Sequence, residues 1–359
     1  MSINDWHKAG ILRREIALYK RLSSPKVSFS FITYGNKEDL KFQDQLGDIK
    51  ILCNYFNLPK YFYDLVLNLI HWRSLFNCDI IKTNQTNGSE AAISASKFWK
   101  KPLIGRMGYV FSKTQMSRKG KDSKSYYNSL KIEQRLLKYA KKIVVTSNEM
   151  KKEIIQIHKF NSKDDIVVIP NYVDTELFSC KNNNFNKLFD IVFVGRLEKE
   201  KNIFQFLQAA NSLKIKTLII GSGTLKTELI KKFDSPLVTW IDKVKNEQLP
   251  EYLNQAHIYI LPSLYEGHPK TLIEAMSLGC AVIGANSPGI RNIIENGVNG
   301  ILCQTNSASI RKKISYLLEN PEIRISIGSK ARECAINRYS LNKIAKIELN
   351  LYSKIVYES

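Results

Sequence analysis

"HIYILPSLYEGHPKTLIEAM", residues 257–276, decides how the chain is read. Its first part, "HIYILP", is apolar enough to be buried on both faces, as inner strands of parallel sheets are. The loop after such a strand opens at the carboxyl edge of the sheet, where open α/β folds bind ligands. Pro269 suits the first position of a following helix, because its missing N–H would have no helical partner anyway. Gly267 lets backbone approach a ligand closely. The amides of Lys270 and Thr271 then point outward at the helix start and make an anion site. Glu266 falls in the loop, and Glu274 about one and a half turns into the helix, roughly 7 Å along its axis. Two carboxylates so placed can accept hydrogen bonds from vicinal hydroxyls, with phosphates on the amides between them. A nucleotide sugar has that layout. The plainer alternative is a pair of solvent-facing glutamates, favoured early in a helix.

A second stretch, "DIVFVGRLEKEKN" (190–202), points the same way. After its strand, Gly195 allows a turn, and Arg196 and Lys201 flank that turn at the same sheet edge. Arginine can clamp phosphate oxygens with its fork, while lysine adds a mobile point charge. The competing reading is a charged loop whose cations pair with Glu198 and Glu200. "GSGT" (221–224) is a weak nucleotide signal. It lacks the full Gly-x-Gly-x-x-Gly pattern and the acid expected about 20 residues on, which argues against a dinucleotide oxidoreductase.

Short β-branched runs alternate with helical patterns along all 359 residues, so an α/β protein with parallel sheets is expected. Strands are read at 27–34, 48–55, 79–84, 102–107, 142–147 and 165–170, then at 190–195, 216–221, 237–241, 257–262 and 281–285. The polar, Asn-rich segment 171–188 is the expected linker between a first domain over 1–170 and a second over 189–338. A C-terminal helix over 339–359 is free to pack back on the first domain. Gly10 opens the helix "ILRREIALYKRL" with only a polar decamer before it. In a doubly wound sheet such a turn follows a strand, so either the fold begins at the helix or the chain's true start lies upstream.

No apolar run approaches the roughly 18 residues of a membrane span, and "MSINDWHKAG" has no signal-peptide pattern. Six cysteines (53, 78, 180, 280, 303, 334) form no Cys-x-x-Cys pair, which favours a reducing, cytoplasmic setting over structural zinc. Lys and Arg number 54 against 33 Asp and Glu, a net charge of +21. Lys97 to Lys142 alone holds 14 basic and 2 acidic residues, and "SKTQMSRKGKDSK" (112–124) within it reads as a mobile basic loop. Such a stretch attracts nucleic acid, anionic lipid or phosphorylated substrates alike; a lysine-rich surface with no partner explains it equally well.

With these motifs in place, the sequence resembles the retaining glycosyltransferases of family 4 (glycosyl transferases group 1). Their GT-B architecture sets two Rossmann-like doubly wound domains facing each other across a cleft. The likeness rests on "VFVGRLEKEKN", "IIGSG", "LPSLYEGHPKTLIEAMSLGCAVI" and "GIRNIIENGVNGIL", flanked by "VTSNEM" and "VIPNYVDTELF". It implies that Arg196 and Lys201 bind the donor diphosphate, Glu266 faces the donor sugar and Glu274 holds the ribose hydroxyls. The amides around His268, Pro269, Lys270 and Thr271 would face the pyrophosphate, beside Gly195 and Gly267, and Gly10 resembles the first-domain glycine turn that approaches the same phosphates. No Asp-x-Asp is present to hold a metal, so no metal or cofactor is expected beyond the nucleoside-diphosphate sugar. The implied acceptor is a sugar or lipid-linked hydroxyl in cell-surface polysaccharide, lipopolysaccharide or glycolipid synthesis, with nucleic acid not expected as a partner. An anionic membrane surface is a further partner, through Lys97–Lys142 on the cytoplasmic face.

The sequence departs from many family members in lacking a first-domain histidine near the reacting centre. Its comparable loops read "KTNQTNG" and "RMGYVF", where Arg106 and Tyr109 are the acceptor-side candidates, against a surface arginine and a core tyrosine. Two other functions stay open: a sugar-nucleotide epimerase of the same fold, and a non-enzymatic basic module that binds nucleic acid or membrane. The epimerase needs acid and base groups at the sugar ring, for which no histidine–carboxylate set is evident. The binding module leaves the two spaced glutamates unexplained.

Overall fold

The computed structural model describes residues 2–179 and 186–358. Cys180 and the middle of the expected linker therefore lie outside the described residues. The chain divides into two compact units, Met1–Pro170 with Ile344–Ser359, and Asn171–Lys343. Every strand read from sequence is present.

In the first unit β1 (Ser30–Ile32) pairs with β2 (Lys50–Leu52) in a sheet of their own. A second sheet runs β3 (Ile81–Lys82), β4 (Leu103–Met107), β5 (Lys142–Val145) and β6 (Ile166–Val168), all parallel. The decamer before Gly10 folds into a helix, Ile3–Lys8, closed by a reciprocal cap between Ser2 and Asp5. Gly10 itself takes a positive φ of 68° between that helix and Leu12–Leu22. The expected basic loop is also corrected: Phe111–Lys119 is helical, and Lys124–Tyr139 follows after a short turn. Its apolar period is too weak to mark a helix. Buried Glu133 supplies a carboxylate for the Ser112 amide at 3.0 Å, complementing the positive end of the helix dipole. The same carboxyl group holds His158 Nε2 at 2.9 Å.

The second unit has β7 (Phe189–Val194), β8 (Thr217–Ile220), β9 (Val238–Ile241), β10 (Ala256–Leu261), β11 (Ala281–Ala285) and β12 (Ile301–Cys303). They form one parallel sheet in the order β12-β11-β10-β7-β8-β9. Counted within the unit this is 3-2-1-4-5-6, the doubly wound order, whose direction reverses between β7 and β10. β12 was not read from sequence; three residues are too few for a period. Val173 and Phe178, placed in the linker by their polar surroundings, are buried in this unit's core, and Tyr172 beside them is buried too. Val173 is held through backbone hydrogen bonds to Tyr339 and Leu341 at 2.9 Å each.

Most of the C-terminal helix Leu341–Tyr357 belongs to the first unit. It carries Glu348, fully buried, whose carboxylate meets Lys82 Nζ at 2.8 Å and Arg106 Nη1 at 3.4 Å. Lys82 also donates to the Tyr352 hydroxyl at 2.7 Å. Burial opposes the charged form of Glu348, but Lys82 and Arg106 together outweigh it and hold its pKa below the usual carboxylate value. Glu348→Ala leaves two buried cations without their anion, a loss of about 3–5 kcal/mol. Because the folded pKa is depressed, this stabilisation is present above the unfolded pKa and vanishes as pH falls through the folded one. Thermal melts should therefore show wild type well above Glu348→Gln at neutral pH, and the two converging in acid below about pH 4.

Candidate active site

The reversal between β7 and β10 puts two loops side by side at the carboxyl edge of the second sheet. β10 is buried almost throughout and pairs with β7 through Ile258↔Ile191 and Tyr259↔Val192. The loop after β7 contains Gly195, Arg196 and Lys201; the loop after β10 contains Glu266, Gly267 and His268. They are stitched together by backbone, Leu264 N–H donating to Glu200 O at 2.9 Å. Asn202 Nδ2 reaches Pro262 O at 3.2 Å and Thr305 O at 2.8 Å.

Across this seam the Lys201 ammonium donates to the Glu266 carboxylate, and both side chains are mostly shielded from water. Sequence reading gave these two residues separate tasks; the structure makes them partners. Arg196 is different. Its guanidinium is 61% exposed and donates to Glu200 Oε1 at 3.3 Å, the plain surface pair weighed earlier. Glu198 instead accepts from the Thr224 amide at 3.1 Å and hydroxyl at 2.7 Å.

Glu274 is only 1% exposed, so the reading of a solvent-facing glutamate fails for it. A carboxylate that deep needs hydrogen-bond donors, and Asn246 Nδ2 supplies one at 3.0 Å. Asn246, itself buried, lies in the loop after β9 and was missed from sequence, since "IDKVKNE" gives no pattern. Pro269 sits one position earlier than expected, as the cap of helix Lys270–Ser277. His268 is buried with its ring centre 5.0 Å from that of Tyr339, and its carbonyl accepts from Asn171 Nδ2 at 2.6 Å. Its imidazole is thus packed, and the part of His268 that belongs to the turn is backbone. Lys270 lies with its ammonium 5.1 Å from the Tyr172 ring centre. The Thr271 hydroxyl accepts from buried Tyr259 Oη at 2.8 Å. Burial, followed by nearby Glu266 and Glu274, pushes the Tyr259 phenol far up, so it stays a neutral donor.

Two glycines set the backbone spacing. A Cβ on Gly221 would stand 1.8 Å from Gly195 O, so the "GSG" turn is dictated by the close approach of the β7 and β8 loops. Gly289, at φ +81°, would place a Cβ 2.3 Å from Glu266 O; this loop backs the Glu266–Gly267 turn, and Glu266 N–H donates to Pro288 O at 3.1 Å.

The first-unit candidates do not share one environment. Arg106 is a buried β4 residue engaged with Glu348, neither a surface arginine nor one at an open edge. Tyr109 is half-buried, its ring centre 6.3 Å from that of Phe111.

This sheet order, with a cation and carboxylates gathered at its reversal, is that of an α/β protein of the GT-B class. The model of "Glycosyltransferase Family 4" matches residues 10–177 and that of "Glycosyl transferases group 1" residues 174–334. The chain belongs to this glycosyltransferase family. It is 28% identical over 195 residues to the N,N'-diacetylbacillosaminyl-diphospho-undecaprenol alpha-1,3-N-acetylgalactosaminyltransferase of Campylobacter jejuni, covering 52% of this chain and 51% of that protein. The chain thus spans about half the length of this relative. An uncharacterized glycosyltransferase of Methanocaldococcus jannaschii is 26% identical over 83% of this chain and 82% of its own length. Among solved structures, Anabaena HepE in complex with UDP-glucose superposes with a TM-score of 0.79 at 17% identity, covering 96% of both chains.

Gly289→Ala should cost about 2 kcal/mol or more, since strain at positive φ adds to a backbone clash. Gly297, also at positive φ (+79°) but with nothing within 4 Å of its Cβ position, serves as the control. Thermal melts should place Gly289→Ala some 4–8 °C below wild type and Gly297→Ala only about 2–4 °C below.

Proposed function

We propose that the second unit binds a nucleoside-diphosphate sugar and that the chain transfers the sugar to a hydroxyl with retained anomeric configuration. The observation that carries this reading is the Lys201–Glu266 contact at the strand-order reversal, with buried Glu274 and Asn246 beside it. In this reading Glu274 accepts from the ribose hydroxyls and Glu266 from the sugar. The diphosphate rests on the amides that open helix Lys270–Ser277, where the dipole favours anions. As the bond from the anomeric carbon to the phosphate oxygen breaks, its electron pair goes to that oxygen. Lys201 meets the charge, and Arg196, exposed, swings from Glu200 to join it. The acceptor oxygen bonds to the anomeric carbon from the same face, and its proton passes to the departing phosphate. Gly10 keeps its proposed part as a glycine that approaches a donor phosphate, and no metal is needed in this scheme. Arg106 is withdrawn from direct acceptor contact, because Glu348 engages its guanidinium; Tyr109 remains an acceptor-side residue.

The names of relatives support the substrate class: the Campylobacter protein is a sugar transferase named for a diphospho-undecaprenol acceptor, and HepE was crystallised with UDP-glucose. A lipid-linked acceptor would also suit the basic stretch Lys97–Lys142 lying on anionic lipid, at about 1 kcal/mol per well-placed cation. Several of these cations are already engaged inside the unit: Lys113 with Glu153, Arg135 with Glu90 at 2.7 Å and Lys142 with Asp165 at 2.9 Å.

A thermal-shift panel of nucleoside diphosphates tests the donor half. A bound ligand at 100 times its Kd adds about 2.7 kcal/mol, and Glu274→Gln should abolish the shift. Donor hydrolysis tests the chemistry. Lys201→Ala should lower kcat by about 10²–10³, and the Glu266→Ala/Arg196→Ala double variant should be inactive. Wild-type turnover in that double variant would overturn these roles.

A further inference from the structure

Helix Lys60–Ile70 is apolar on both sides, yet only one side is covered. Tyr63 and Leu67 face the core of the first unit. Tyr61, Phe62, Leu65 and Leu69 fall within about 100° of each other on the opposite side, and Trp72 and Phe76 continue the face on helix Trp72–Asn77. These six side chains are 49–71% exposed. Single exposed apolar residues need no explanation, but a contiguous run of large ones does. The neighbouring helix Ser89–Trp99 packs alongside and adds exposed Phe98, with Phe76 and Phe98 both against the Trp99 ring at 6.0 and 5.0 Å.

Cations rim this face. Exposed Arg73 lies on its second helix, and Lys100 and Lys101 follow the end of the neighbouring one. The Arg73 guanidinium lies 5.4 Å from the Trp72 ring centre and the Lys101 ammonium 6.0 Å from that of Phe76. Of the acids nearby, Asp64 is turned to the Tyr34 hydroxyl at 2.7 Å, and Glu90, at the far end of its helix, meets Arg135; Asp79 is exposed. A two-fold contact with a second copy would set this cationic rim against itself. An anionic bilayer complements both parts: aliphatic and Phe side chains enter the acyl boundary, Tyr and Trp sit at head-group depth, and Lys and Arg meet lipid phosphates.

We propose that residues 60–76 form a monotopic membrane-docking face, inserting its apolar side chains into an anionic lipid surface. This goes beyond electrostatic adsorption of the basic stretch and is independent of the transfer reaction, since vesicle binding is read without donor or acceptor. The test is flotation of the full chain with phosphatidylcholine vesicles, with and without phosphatidylglycerol. Three proteins are compared: wild type, Phe62→Ser/Leu65→Ser/Leu69→Ser, and Lys119→Gln/Lys121→Gln/Lys124→Gln. Wild type should float with the anionic vesicles, and brominated lipid should quench the fluorescence of Trp72, shown by loss of that quenching in Trp72→Ser. The apolar triple variant should bind about a hundredfold more weakly while keeping its melting temperature and nucleotide thermal shift. The lysine triple variant should still bind and be quenched. Absence of wild-type binding, equal binding by the apolar triple variant, or loss of binding only in the lysine variant overturns the proposal. So does a concentration-dependent dimer that the apolar triple variant dissolves, which would make a second copy the occupant.

Discussion

The strand order of the second unit reverses between β7 and β10, and that reversal fixes where charge can gather. On either side of it the crossover helices pack on opposite faces, so the carboxyl ends of these two strands border a crevice. The loops there cannot be covered by the sheet's own helices, and their polar side chains find partners across the seam. Lys201 from one loop and Glu266 from the other do so. Neither ion would be stable at that burial alone, because desolvation of a single charge costs several kcal/mol. Their pairing permits both to stand at the open edge of the sheet.

Backbone geometry protects that pairing. Gly221 lets the β8 loop close on Gly195, and Gly289 lets a third loop press against the carbonyl of Glu266. Each contact is shorter than any Cβ tolerates, so the relative height of the charged loops is set by main chain rather than by flexible side chains. Preorganisation of this kind is what gives an electrostatic site its effect, since little has to move when charge develops. The buried Tyr259 hydroxyl holding Thr271 extends the same rigidity to the helix whose amides face the crevice.

Much of this was legible in sequence because the strands of a parallel sheet are apolar on both faces, and "DIVFV", "TLII" and "HIYIL" read as runs. The Gly-x-Pro turn with Glu266 and Glu274 was legible because it combines backbone and side-chain demands at fixed spacing. What stayed hidden was tertiary. Helix Phe111–Lys119 has no apolar period and is steadied by Glu133, a residue far along the chain. Val173 and Phe178 look like linker residues until the core they fill is assembled. Asn246 becomes meaningful only when Glu274 is seen to be buried beside it. Exposure of the Tyr61–Leu69 face was hidden for the same reason: sequence records that a helix is apolar all round, not which side is covered.

The chain solves the problem of a shielded carboxylate twice, with opposite consequences. Glu348 is enclosed by Lys82, Arg106 and the Tyr352 hydroxyl, all in the interior of the first unit. Two cations serve one anion there, and exchange of partners would expose a bare charge in a low dielectric. Such a cluster ties a terminal helix to a sheet. The cations of the two sites are alike in exposure, 11% for Lys82 and 10% for Arg106 against 14% for Lys201, but Glu348 has none while Glu266 retains 13% at a sheet edge. A carboxylate that water reaches need not be stripped bare to change partners, because water can hydrogen-bond it as the cation leaves. Access of water to the carboxylate therefore separates the ion pair that holds structure from the one that can exchange its partner.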